Sequence, residues 1–129
     1  MEINKITHEI IGAAIDVHSE LGPGLLESAY HECLFFELKE RGLKVEKEKE
    51  LPLVYKDVQM ESAFRADLMV EDKVIVELKA VKDIEDIHIA QMLTYLKLSN
   101  KEIGLLINFN VTLMKHGITR LINKYYSAN

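Results

Sequence analysis

The sequence predicts an α/β fold, in the order helix, helix, strands, helix, buried strand. Three observations carry it. Apolar residues recur at helical spacing over residues 3 to about 20, from Ile3 to Leu21. The stretch 65–79 alternates apolar and polar residues around a charged turn, the pattern of two half-buried strands. Ile103-Gly104-Leu105-Leu106-Ile107-Asn108-Phe109 is an unbroken apolar run, expected of a strand covered on both faces.

The first helix carries Ile3, Ile6, Ile10, Ala13, Ala14, Val17 and Leu21 on one side. Gly22-Pro23-Gly24 ends it and opens a second helix, expected from about 25 to 41 and stopped by Gly42. Its apolar stripe reads as Leu26, Ala29, Cys33, Phe36 and Leu38. Glu27 lies in its first turn, where the helix dipole favours a carboxylate, and Tyr30 and His31 follow on the same side.

Residues 43 to 55 read as a strand, Lys56-Asp57 as a turn, and Val58 onward as a second strand, with Pro52 marking an edge or bend. A bend near Glu61-Ser62 would let this strand run on into the 65–79 hairpin. The charges from Lys44 to Glu50 read as a solvated face.

The hairpin holds the candidate chemistry. Ala66, Leu68 and Val70 form one apolar set, and Val74, Val76 and Leu78 form another. These sets share a face only if paired residue numbers sum to an even value. A three-residue turn at Glu71-Asp72-Lys73 achieves this by pairing Val70 with Val74 and Asp67 with Glu77. A two-residue turn would mix the sets. Asp67, Glu77 and Lys79 then share the opposite face with Met69 and Ile75. A solvated charged face is the commoner arrangement, but those two apolar residues imply partial cover. Two carboxylates about 4 Å apart repel by roughly 4 kcal/mol at an effective dielectric near 20, so a covered pair needs a proton or a cation.

Asp83 is the expected cap of a helix from about 84 to 99, with Ile89, Met92, Leu93 and Leu96 inward. Gln91 and Tyr95 project together, one turn apart, on another side. His88 reads as a boundary residue rather than a ligand. Residues 117 to 126 suggest a short helix with Ile118, Leu121, Ile122 and Tyr125 inward, in the most basic region, with Lys115, Arg120 and Lys124.

The chain has 129 residues, 48% hydrophobic and 29% charged, which suits one globular domain over 1–129. The single Cys33 excludes an internal disulfide and a cysteine zinc cluster. No segment reads as a membrane span or signal peptide, so a cytoplasmic protein is expected. The net charge of −5 argues against a general phosphate-binding surface, leaving nucleic acid a local patch. Walker, dinucleotide-binding, H-E-x-x-H and nucleophile-elbow motifs are missing.

Taken in order, the motifs resemble the PD-(D/E)XK nuclease superfamily. Asp67 and Glu77-Leu78-Lys79 are similar to its two catalytic motifs, and Gln91-Met92-Leu93-Thr94-Tyr95 to the Q-x-x-x-Y signature of its RecB-like branch. Gly24-Leu25-Leu26-Glu27-Ser28-Ala29-Tyr30 resembles the motif of the GxxExxY proteins. Ala66 stands where many members carry proline. The resemblance implies a restriction-endonuclease-like α-β-β-β-α-β core with a mixed central sheet flanked by helices. It implies Mg²⁺ or Mn²⁺ held by Asp67, Glu77, the Leu78 carbonyl and Glu27, directly or through water. Lys79 would orient the attacking water, Gln91 and Tyr95 would position Lys79 or the substrate strand, and Tyr30 would support Glu27 by a hydrogen bond. The implied activity is phosphodiester hydrolysis in DNA, with RNA or a small nucleotide as other substrates. The alternative is a catalytically silent module binding nucleic acid or protein. A homodimer or a protein partner would supply further DNA-binding surface.

Overall fold

A computed structural model describes residues 1–128, apart from the side chains at 61–63. The bend expected near Glu61-Ser62 lies outside the described residues. The elements are α1 (Ile3–Leu21), α2 (Glu27–Glu40), β1 (Val45–Tyr55), β2 (Val58–Val70), β3 (Val74–Lys79), α3 (Asp86–Ser99), β4 (Ile103–Asn108), a 3₁₀ turn (Met114–His116) and β5 (Ile118–Ile122). The five strands form one mixed sheet in the order β1-β2-β3-β4-β5, in which only the β3–β4 pair is parallel. The crossover from β3 to β4 is α3.

Two apolar layers cover the sheet. On one face, Ile6, Ile10, Ala13 and Val17 of α1 and Tyr30, Leu34 and Leu38 of α2 pack on Leu68, Val70, Val74, Val76, Leu105 and Ile107. On the other, Met92 and Leu96 of α3 cover Met69, Ile75 and Leu51. The cover expected over the charged face is therefore α3. β4 is buried at every position, as its apolar run requires.

The hairpin register is the even-sum one: Leu68 pairs with Val76, Met69 with Ile75 and Val70 with Val74. Glu71 and Asp72 both take left-handed φ, 54° and 55°, and the Lys73 N–H donates to the Val70 carbonyl. The β1–β2 register shifts between Leu51 and Leu53, at Pro52, on the sheet's edge strand.

Several expectations are corrected. The 117–126 segment is not a helix: Ile118–Ile122 is an edge strand antiparallel to β4, and Tyr125 is 66% exposed. β4 offers this segment a backbone ladder that a helix could not use. The inward stripe of α2 is Tyr30, Leu34 and Leu38, whereas Leu26 and Phe36 are exposed. The stacking of Tyr30 on Phe109, with ring centroids 4.6 Å apart, fixes which side of that helix faces in. On α3, Leu93 lies outside the core, and the cap is Glu85 rather than Asp83. Glu85 N–H donates to His88 Nδ1 at 2.9 Å, so His88 closes the helix start.

Ala66 also departs from its expected face. Leu68 and Val70 belong to the α1–α2 layer, but Ala66, with the same alternation parity, packs in the α3 layer with Phe64. The ladder to β3 ends at the Leu68–Val76 pair. Beyond it β1 and β2 form a two-stranded ribbon, and such ribbons twist more strongly than wide sheets. Asp67 stands at this change of face.

Candidate active site

Where the β2–β3 ladder ends, side chains replace it. Asp67 N–H donates to Glu77 Oε2 at 2.7 Å, and Leu78 N–H donates to Asp67 Oδ2 at 2.9 Å. Each carboxyl group thus holds a backbone amide on the other's strand, clasping two acids side by side. His31 of α2 completes the clasp: its Nε2–H donates to the Asp67 carbonyl at 3.1 Å.

Glu77 is 5% exposed. Its carboxyl is pushed up to about 8, first by burial and then by the neighbouring Asp67 charge, with Glu27 adding to the push. The Asp67 amide and the Lys79 ammonium pull the other way without prevailing. Lys79 is half-buried two residues on from Glu77, so strand alternation puts both on one face. Among the described residues no carboxylate pairs with Lys79 within 4 Å.

Glu27 is exposed at the start of α2. It shares with Asp67 a cavity of about 310 Å³, also lined by Ser28, His31, Lys47 and Glu48. Tyr30 does not bond to Glu27. Its hydroxyl donates to the Gly22 carbonyl at 2.6 Å and accepts the Leu25 N–H at 3.0 Å, which pins the loop leading into Glu27. On α3, the Tyr95 ring packs against Phe64 at 4.7 Å. Burial, then the Glu77 and Asp67 charges, raise its hydroxyl above the usual tyrosine range, placing it within electrostatic reach of the acidic pair. Gln91 is exposed on the same helix, and its side chain makes no hydrogen bond among the described residues.

Adjacent strands thus bring Asp67, Glu77 and Lys79 together beneath α3. A family model of the PD-(D/E)XK nuclease superfamily matches residues 4–121. The chain belongs to that superfamily. No curated protein and no solved structure matches it.

PD-(D/E)XK nucleases generally use divalent metals, and the donors here suit a hard cation. Asp67 and Glu77 offer carboxylate oxygen, and burial and the neighbouring Asp67 charge, which displace Glu77, are what a bound cation would offset. A strand residue's N–H and C=O project to the same side. The Leu78 carbonyl therefore faces Asp67, as its N–H does. Among the described residues no three His, Cys, Asp or Glu side chains are gathered closely enough to hold an ion. Glu27 borders the acidic pair across the cavity that it shares with Asp67.

Two residues that brace the backbone around the acidic pair, Asn108 and His31, were not marked as site residues by the sequence. Asn108 is 3% exposed at the end of β4. Its Oδ1 accepts the Val81 N–H at 3.1 Å and its Nδ2 donates to the Val81 carbonyl at 2.9 Å. With Phe109 N–H donating to the Lys79 carbonyl at 2.9 Å, it fixes the chain just after Lys79. The available signal was a polar side chain closing an apolar strand. For His31 it was the i+4 spacing from Glu27.

No helix among the described residues is long and apolar enough to cross a membrane.

Proposed function

We propose that the chain is a GxxExxY-type nuclease that uses Mg²⁺ or Mn²⁺ to hydrolyse phosphodiester bonds in DNA, acting as one domain over residues 1–129. The reciprocal clasp of Asp67 and Glu77, with Lys79 on the same face, carries this reading. Asp67, Glu77 and the Leu78 carbonyl would hold the cation, which supplies an acidified water and neutralises charge on the phosphate. Lys79 orients the attacking water and balances the charge that builds on the phosphoryl oxygens. Glu27 faces the cavity beside Asp67, placed to bind an outer water of the ion. Tyr95 and Gln91, on the covering helix, position Lys79 or the substrate strand.

Purified protein should nick or degrade DNA with Mn²⁺ or Mg²⁺. Glu77→Gln and Lys79→Ala should each lower the rate about a hundred-fold or more, with unchanged circular dichroism. Cleavage that survives both substitutions places the activity elsewhere. Calorimetric titration with Mn²⁺ separates the alternative: no heat dependent on Asp67 and Glu77 would make the chain a silent binding module.

A further inference from the structure

A second feature lies on the other flank of α3. A groove of about 520 Å³ separates Leu93, Thr94 and Lys97 of α3 from the open edge of β5 and the residues after it, ending at Tyr125. That volume is in the range of about 300–1,000 Å³ typical of ligand sites. Its lining contains no acidic residue. By contrast, the groove between α1 and α2 is lined by Asp16, Glu20, Glu32 and Glu37, a surface that repels polyanions.

Tyr125 is 66% exposed but held in place. Asn123 is 6% exposed, accepts the Tyr125 N–H at 2.9 Å through Oδ1, and donates Nδ2 to the carbonyls of Leu96 and Lys101 at 3.1 and 3.0 Å. The tyrosine is thereby fastened to the end of α3. Lys97 and Lys124 sit over its ring, 5.0 and 5.7 Å from the centroid. Neither ammonium has an acidic partner within 4 Å among the described residues. Arg120 does not join them, because its guanidinium is bonded to Thr7 and Asn4 on the opposite face of the sheet.

An exposed aromatic ring flanked by two cations, in a chain of net charge −5, suits a chain of phosphates carrying flat unpaired bases. We propose that this groove binds a single strand of nucleic acid, one base stacking on Tyr125 while Lys97 and Lys124 engage the phosphates on either side. The approaching phosphates draw both ammonium groups off the ring and leave its face to the base. Tyr95, beside the acidic pair, and Lys97, in the groove, are two residues apart on α3 and so project from opposite flanks. A strand seated here crosses roughly 10 Å of helix to reach the carboxylates. The inference rests on the nuclease reading for that direction, and its test separates the two.

The test is fluorescence anisotropy of the 129-residue chain in EDTA, with labelled oligothymidylate and with the same oligomer annealed to its complement. The single strand should bind more tightly than the duplex. Tyr125→Ala should weaken binding about ten-fold, with recovery in Tyr125→Phe. Lys97→Ala and Lys124→Ala should each lower the slope of log affinity against log salt by about 0.7. Equal affinity of Tyr125→Ala and parent overturns the proposal, as does tighter binding of the duplex. Failure of the parent to bind any strand also overturns it and leaves the groove to a protein partner. Tyr125-dependent binding without metal-dependent cleavage supports the groove and sinks only the nuclease reading. Cleavage with Tyr125-independent binding does the reverse.

Discussion

Replacing Glu77 by glutamine should make the metal-free protein more stable at neutral and alkaline pH. The native carboxyl is pushed up to about 8 from an ordinary 4.5. In that interval the native state keeps a proton that the unfolded chain has released, so stability falls as pH rises through it. The interval spans 8 − 4.5 = 3.5 pH units. At about 1.4 kcal/mol per unit it amounts to at most about 5 kcal/mol, on the scale of a whole domain's stability. This contribution is intact below pH 4.5 and gone above 8. Glutamine keeps an oxygen to accept the Asp67 N–H but carries no charge at any pH. Thermal unfolding followed by circular dichroism in EDTA from pH 5 to 9 should show the parent losing stability and Glu77→Gln holding nearly level. The two should be close at pH 5 and about 3–5 kcal/mol apart at the alkaline end. The other displaced groups, Tyr95, Arg41 and Lys49, move upward from ordinary values of 10.0 or higher, outside this window. Mn²⁺ at pH 8 should raise the midpoint of the parent and leave the variant unmoved. A variant with the parent's slope, or one less stable at pH 8, refutes the reasoning.

Tyr30→Phe strands the Gly22 carbonyl and the Leu25 N–H, and should cost about 1–2 kcal/mol in urea unfolding while lowering cleavage through the loosened approach to Glu27. Asn108→Ala strands the Val81 N–H and leaves its carbonyl only the longer bond from Asn110, and should cost about 2–3 kcal/mol; because Val81 follows Lys79 by two residues, kcat should fall with KM little changed. Gly117→Ala puts a Cβ 2.1 Å from the Asn108 carbonyl oxygen, where backbone must shift, at about 3 kcal/mol or more. Gly104→Ala meets the Met92 sulfur at 2.6 Å, a flexible group, at about 1 kcal/mol. Thermal midpoints in the reverse order would contradict both contacts.

What could be read from the sequence was what neighbouring residues decide. The hairpin register follows from alternation on two arms joined by a short turn, and it put Asp67 opposite Glu77 before any long-range contact was considered. β4 was legible because no solvated strand tolerates so long an apolar run. β5 was not, because Ile118, Leu121, Ile122 and Tyr125 also satisfy helical spacing, and only β4 decides between the two. On α2 both Leu26–Ala29–Cys33 and Tyr30–Leu34–Leu38 are apolar at helical intervals. Phe109, far along the chain, selects the second. Asn108 and His31 act on backbone 27 and 36 residues away, and side-chain identity alone does not announce such bonds.

The displaced face of Ala66 and the clasp at Asp67 have one origin. A ribbon that keeps twisting past the end of its ladder to β3 leaves amides at Asp67 and Leu78 without strand partners, and buried amides must be satisfied. Carboxylates of neighbouring residues satisfy them, at the expense of holding two acids together under α3. A neutral pair would bond the same amides, so hydrogen bonding alone does not account for two acids there. The repulsion is avoided by a proton on Glu77, whose carboxyl is pushed up to about 8 by burial and the Asp67 charge, and a divalent cation bound there would take that proton's place. Were the pair to hold a divalent cation, as proposed, cation affinity and fold stability would be linked, because the ion would compete with the Glu77 proton for the folded pair.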